Sequence, residues 1–257
     1  MNKLLKVFAM TLMLILGGQA MAQTRGAMFL SATFPMKDYA TYDGFYNFAL
    51  TKKNSSDAGA GMGFNAGLKW YYNVGVKGLG VLLSVDGFYN GPTEELKNAY
   101  RDQEGAAGGQ FVGGSFNYNA TPKYVNIPAM LGLNYIFHFN PNLGIYIEAG
   151  AGGNLRLITN METVTKGTLF GVETQVTEIQ DYEKAFSFAY QAGIGFEVAK
   201  NLVIGCSFYD LGSATVNSEH TLKTKTLNDN VTTKEVGYPS FGTVHPIMVL
   251  GRIGFSF

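Results

Sequence analysis

The sequence predicts an all-β fold: an eight-stranded, antiparallel, up-and-down transmembrane β-barrel, with short turns at one end and long loops at the other. Three observations carry this expectation. From Leu143 to Leu157 the odd positions (Leu143, Ile145, Ile147, Ala149, Ala151, Gly153, Leu155, Leu157) are apolar or small. The even positions (Gly144, Tyr146, Glu148, Gly150, Gly152, Asn154, Arg156) are small, polar or charged. Side chains alternate across a strand, so one face of this segment is oily and the other polar. At about 15 residues the run exceeds the 5–6 of an ordinary strand and suffices for the roughly 9–11 that cross a bilayer at a tilt. The same alternation recurs in seven other segments, and the connections between them run long, short, long throughout.

Composition agrees with one face in lipid and many tight turns. Charged residues make up 15% of the 257-residue chain, with 14% aromatics and 33 glycines, against a usual charged fraction of about 25%. A net charge of zero offers no basic field to nucleic acid. Cys206 is the single cysteine, which rules out an internal disulfide and leaves no basis for a structural zinc site. At the start, Lys3 and Lys6 precede an apolar run from Val7 to Leu16, followed by the small-residue site Ala20-Met21-Ala22. This reads as a signal peptide, residues 1–22, cleaved after Ala22, with the barrel occupying 23–257. The run is shorter than the roughly 20 residues of a spanning helix. No cysteine follows it, so a lipidated N-terminus is not expected. An exported chain with alternating strands and no helical span belongs in a bacterial outer membrane, with the short turns in the periplasm.

The first strand is Ala27–Phe34, with Met28, Leu30, Ala32 and Phe34 outward. A polar stretch, residues 37–58, leads to the second strand, Gly61–Tyr72, which sets Met62, Phe64, Ala66, Leu68, Trp70 and Tyr72 outward and Asn65 and Lys69 inward. A glycine-rich turn, Asn73–Gly78, precedes the third strand, Gly80–Asn90, with Val81, Leu83, Val85 and Tyr89 outward and Ser84, Asp86 and Phe88 inward. The segment 91–121 is charged and then glycine-rich, and reads as a flexible loop. The fourth strand, Tyr124–His138, points Tyr135 and Phe137 outward; Pro128 on its inner face predicts a bulge. Asn140-Pro141-Asn142 then turns the chain into Leu143–Leu157.

Beyond Leu157, polar alternation to Glu183 predicts a hairpin that extends past the membrane and turns at Lys166-Gly167-Thr168. The sixth strand, Ala185–Val198, turns at Lys200-Asn201 into the seventh, Leu202–Leu211. A second protruding hairpin follows, with its tip at Asn228-Asp229-Asn230. The last strand, His245–Phe257, places Ile247, Val249, Ile253, Phe255 and Phe257 outward and Arg252 inward. Trp70, Tyr72, Tyr135, Phe137, Phe255 and Phe257 are the expected membrane-interface aromatics.

The terminal run Ile253, Phe255, Phe257 resembles the assembly signal of bacterial outer-membrane barrels. Tyr124-Val125-Asn126-Ile127-Pro128, running on to Tyr135, resembles the Y-x-x-I-P strand of the outer-membrane β-barrel domain family common in Bacteroidetes. The eight-strand plan itself resembles the OmpA-transmembrane and OmpX class. Asn126 departs from that family's frequent acidic residue, and no peptidoglycan-binding domain is expected after the barrel, which argues against a wall-tethering role. The resemblance implies a fold and an assembly route by the barrel-assembly machinery, and says little about function.

The inward charges are Lys69, Asp86, Glu148, Arg156, Glu197 and Arg252, three of each sign. An isolated buried charge costs several kcal/mol even after relaxation, so these are expected to pair and fill a narrow lumen. Asp86, Glu148 and Arg252 count to mid-height, and Lys69 and Glu197 to the periplasmic end. The alternative is a narrow or gated solute pore. His138 is expected as a lumen hydrogen-bonder at the periplasmic end. His245 and Asp210 fall together on the outward face near the outer interface, which raises a lipid-A hydrolase as a further alternative. By parity no serine shares that face, since Ser207 points inward and Ser213 lies past the strand end. The expectation is therefore a barrel without catalytic residues, cofactor or metal, monomeric, in contact with outer-membrane lipid and lipopolysaccharide. Its extended hairpins would offer sheet edges to a surface protein or host ligand, an adhesion role. An accessory place in an export machine stays open.

Overall fold

A computed structural model describes residues 24–40, 58–98, 112–199, 201–226, 232–236 and 240–257. The proposed signal peptide, its cleavage site at Ala22 and the hairpin tip at 228–230 lie outside these residues. Among the described residues, fourteen strands form two sheets. In chain order they are β1 (Thr24–Met36), β2 (Ala60–Asn73), β3 (Leu79–Pro92), β4 (Val112–Ala120), β5 (Tyr124–Asn140), β6 (Leu143–Ile158) and β7 (Met161–Leu169). After them come β8 (Val172–Tyr182), β9 (Ala185–Val198), β10 (Leu202–Asp210), β11 (Ala214–Thr226), β12 (Thr232–Val236), β13 (Ser240–Val244) and β14 (Ile247–Ser256).

Eight of them close into an antiparallel barrel in the order β1-β14-β10-β9-β6-β5-β3-β2. These are the eight segments that alternation picks out. Strict alternation dictates their two faces: Met28, Leu30, Phe64, Leu131, Ile147, Phe186, Phe188, Ile194 and Phe255 are all exposed, while their strand neighbours point inward. Such a density of bare large apolar side chains is foreign to a water-facing sheet. Following paired residues once around from Tyr146, through Gly195, Gly205, Arg252, Ser31, Asn65, Phe88 and Asn126, returns to β6 at Arg156, ten residues further on. A stagger of this kind goes with strands tilted by about 35–45° and an interior just wide enough for side chains to fill.

The interior is less polar than alternation alone suggests. Ala27, Phe29, Tyr71, Leu82, Tyr146 and Val203 form an apolar layer toward the short turns. Phe88, Met130, Tyr209, Met248 and Leu250 form a second layer, capped by Tyr39, Tyr124, Leu211 and Val244 at the long-loop end. Pro128 makes no bulge. The register between β3 and β5 continues past it, and the only consequence is that its rung with Asp86 and the next, Gly87 with Ile127, are unpaired, as the missing N–H requires. Register shifts in the barrel fall instead between Ala60 and Gly63 on β2 and between His138 and Asn140 on β5.

The second sheet has six strands, β4-β7-β8-β11-β12 with β13 also on β11, and it continues from the long-loop end of the barrel. Three expectations are amended across the two sheets. Residues 112–120, read as loop, are the strand β4, because Phe116 and Tyr118 alternate within the glycines and pair with β7. The first hairpin turns at Phe170-Gly171, three residues beyond the expected tip, because its pairing runs on to Leu169 with Val172 and Gly171 takes the left-handed φ of +82°. The connection from β9 to β10 spans residues 199–201, with Ala199 at φ +52°.

Candidate functional site: the charged lumen and the sheet above it

All six inward charges predicted from parity are buried: Lys69, Asp86, Glu148, Arg156, Glu197 and Arg252. They do not form one network. Four of them meet at mid-barrel, where β2, β3, β6 and β14 face one another. Glu148 pairs with Lys69 and accepts from Arg252 Nη1 at 3.1 Å. Arg252 Nη2 lies 3.9 Å from Asp86 Oδ1. Two cations and two carboxylates thus balance in a space closed to water.

Neutral groups complete the cluster. Tyr209 Oη donates to Asp86 Oδ2 at 3.0 Å and accepts from Arg252 Nη2 at 2.7 Å. Asn65 Nδ2 donates to Gly87 O at 3.2 Å, and Tyr71 Oη reaches Glu148 Oε2 at 3.4 Å. The ring of Phe29 takes Lys69 at 5.4 Å and Arg252 at 5.0 Å from its centroid, a double cation–π contact. Phe29 and Tyr209 carry no charge, so a search for paired charges passes over both; their inward parity is the only signal in the sequence.

Glu197 pairs with Arg25 near the short turns, apart from the central four. Arg25 escapes the sequence reading because β1 begins at Thr24, three residues before the alternation becomes clear. Arg156 sits at the opposite end, and among the described residues no carboxylate pairs with it. Its donors go to Val244 O at 2.6 Å, Gly212 O at 2.9 Å and Asn126 Oδ1 at 3.3 Å. It therefore fastens the chain where it leaves β10 for the second sheet and where it returns to β14. Gly212 fits this close approach at φ +70°, and a Cβ there would collide with the carbonyl oxygen of Phe188.

His138 is exposed at the short-turn end of β5, on the same side of the strand as Ile136 and beside Gly144. Asp210 and His245 do meet, Nε2 to Oδ1 at 2.7 Å, and Tyr190 Oη donates to the same carboxylate at 2.5 Å. The Asp210 side chain is almost buried rather than lipid-exposed, because the backbone N–H of Gly212 also binds it at 2.9 Å. His245 precedes β14, which starts at Ile247, and Ile247 itself is buried beside Asp210. A hydrolase would further need a nucleophile, and Ser207 on β10 is buried in the lumen. Among the described residues no group of three or more His, Cys, Asp or Glu could hold a metal ion. Of the expected interface aromatics, Tyr72, Tyr135, Phe137, Phe255 and Phe257 are exposed, and Trp70 is half-buried.

The sheet above the barrel is rich in polar side chains, with apolar contacts among Leu96, Met161, Tyr118 and Tyr182. Its strands carry Thr163, Thr165, Thr174, Thr177 and Thr224, with His220 Nε2 of β11 against Glu178 Oε1 of β8 at 2.5 Å. The hydrogen bond from Glu178 raises the His220 pKa above its ordinary value.

The fold and site together define a closed, filled, eight-stranded antiparallel barrel with an apolar exterior and a polar sheet at one end. No family model matches the chain, and no curated protein matches it. Among solved structures it is similar to Ail, the attachment invasion locus protein of Yersinia pestis, at 18% identity and a TM-score of 0.36, covering 91% of this chain and 99% of that one. A major outer membrane protein from Thermus thermophilus has 9% identity and a TM-score of 0.42, covering 91% of this chain and 99% of that one. OprG from Pseudomonas aeruginosa has 12% identity and a TM-score of 0.36, covering 91% of this chain and 94% of that one. Likeness at this level assigns no activity.

Proposed function

We propose that the protein is an integral outer-membrane barrel with a plugged lumen and no catalytic role, and that its protruding sheet makes adhesive contacts at the cell surface. The observation that carries this reading is the six-stranded polar sheet standing on the loop end of a barrel whose outside is oily. The oily wall suits lipid and anchors the chain. The sheet, threonine-rich and bounded by the edge strands β4 and β12, suits strand addition or side-chain contact with a surface protein or host ligand. The apolar layers and the balanced charge cluster support a plug over a narrow solute pore or an export accessory. Outer-membrane lipid and lipopolysaccharide around a monomer, entry by the barrel-assembly machinery through the strand ending at Phe257, and kinship with the Bacteroidetes barrel family belong to the same reading.

Excision of residues 161–182, joining β6 to β9 by a short turn, tests it. The shortened barrel should still insert and migrate as a heat-modifiable species, while cells displaying it lose adhesion at least ten-fold against cells displaying the full chain. Unchanged adhesion would overturn the role given to the sheet.

A further inference from the structure

The outer wall of the barrel is not uniformly convex. A furrow of about 750 Å³ crosses it at the rung Ala66–Gly87, a pair of small residues on the outward face, as are Ala32–Gly251 and Ala149–Ala192 elsewhere. One bank follows paired residues from Leu202 and Phe255 through Met28 and Leu68 to Val85. The other runs from Ile253 through Leu30, drops at the small residues Ala66 and Gly87, and rises again at Ile127. Asp86 and Phe29 behind the wall are buried in the lumen, so the furrow opens outward only.

We propose that this furrow holds one acyl chain of a phospholipid from the short-turn leaflet. The proposal rests on the bilayer reading above and goes beyond it by assigning a defined lipid site. The outward side chains along both banks are hydrocarbon or thioether, with no polar group to receive a headgroup, and the furrow is continuous with the apolar belt. Each bank spans four interstrand steps of about 4.8 Å, or about 19 Å. At a strand tilt of about 40° that path climbs about 12 Å, close to the roughly 15 Å hydrocarbon depth of one leaflet. Its foot, at Leu202 and Phe255, lies beside the connection 199–201 and the chain end, so the chain enters from the short-turn side.

The test uses the full chain in nanodiscs of phosphatidylethanolamine with brominated acyl chains, then gentle extraction into detergent. Trp70 is the single tryptophan and follows Leu68 on the same face of β2, which makes it a built-in probe. Native mass spectrometry should find one phospholipid retained per wild-type chain, with Trp70 quenching persisting after extraction. A furrow-filling variant, Ala66→Leu with Gly87→Leu, should retain at least five-fold less and recover its fluorescence. A Cβ at Gly87 meets only Ala66 O at 3.8 Å, so the added side chain has room. Ala151→Leu, on the outward face of β6 away from the furrow, should retain lipid as wild type does. Equal retention by the filled variant, no retained lipid in wild type, or a lipid-free dimer would overturn the site. Trp70 left unquenched in the intact nanodisc would instead overturn the bilayer reading itself.

Discussion

Glu148 is the residue on which the lumen turns, because one carboxylate answers both Lys69 and Arg252. Glu148→Leu would leave two buried cations facing Asp86 alone. Removing one partner of a buried pair strands the others without water, so a loss of about 3–5 kcal/mol is expected, measured by urea unfolding of the barrel folded into lipid vesicles. A change under about 1 kcal/mol, the range of an exposed ion pair, would mean that water reaches the cluster. Parity was enough to place all six charges inside. Their partners were hidden because pairing depends on how the barrel closes: Lys69 on β2 and Glu148 on β6 meet across the lumen only once the stagger of the strands is fixed. Arg156 shows the limit most sharply, since its partners are backbone carbonyls at positions 212 and 244 that no count of charges can find.

At the scale of elements, strands with a clear oily face were legible and strands with two polar faces were not. The eight barrel strands alternate between an oily outside and a packed lumen, whereas β4 pairs within a sheet of mostly polar strands and leaves only Phe116 and Tyr118 as a trace. The hairpin of β7 and β8 was visible as a run of threonine and valine, but its turn was set by Gly171 rather than Gly167. Cross-strand contacts then decide the behaviour of this sheet. His220 is about one-third exposed and its folded pKa is raised by Glu178, so the pair stabilises β8 against β11 below the ordinary histidine value. That contribution fades as pH rises through the raised value. Hydrogen exchange of the β8 and β11 amides, corrected for intrinsic rate, should show stronger protection at mildly acidic pH than at mildly alkaline pH. The difference should stay below about 1 kcal/mol, as for solvent-screened pairs, and vanish in Glu178→Gln. Protection that rises with pH would contradict the pairing.

Across the whole molecule, barrel and sheet share one apolar core. Val216 of β11 and Val244 of β13 pack in the same cluster as Met248 and Leu250 of β14. Arg156 fastens the connections between them, so the sheet is held at a fixed attitude to the barrel. All of this depends on the exterior facing hydrocarbon. The most direct measurement is a nitroxide scan from Leu143 to Leu157 in lipid vesicles, reading collision with oxygen and with a water-soluble nickel complex. Odd positions should be open to oxygen and closed to nickel, with even positions shielded from both, alternating without a slip across β6. Nickel access at Ile147, Ala149 and Ala151 equal to that of a soluble sheet would contradict a membrane-spanning barrel.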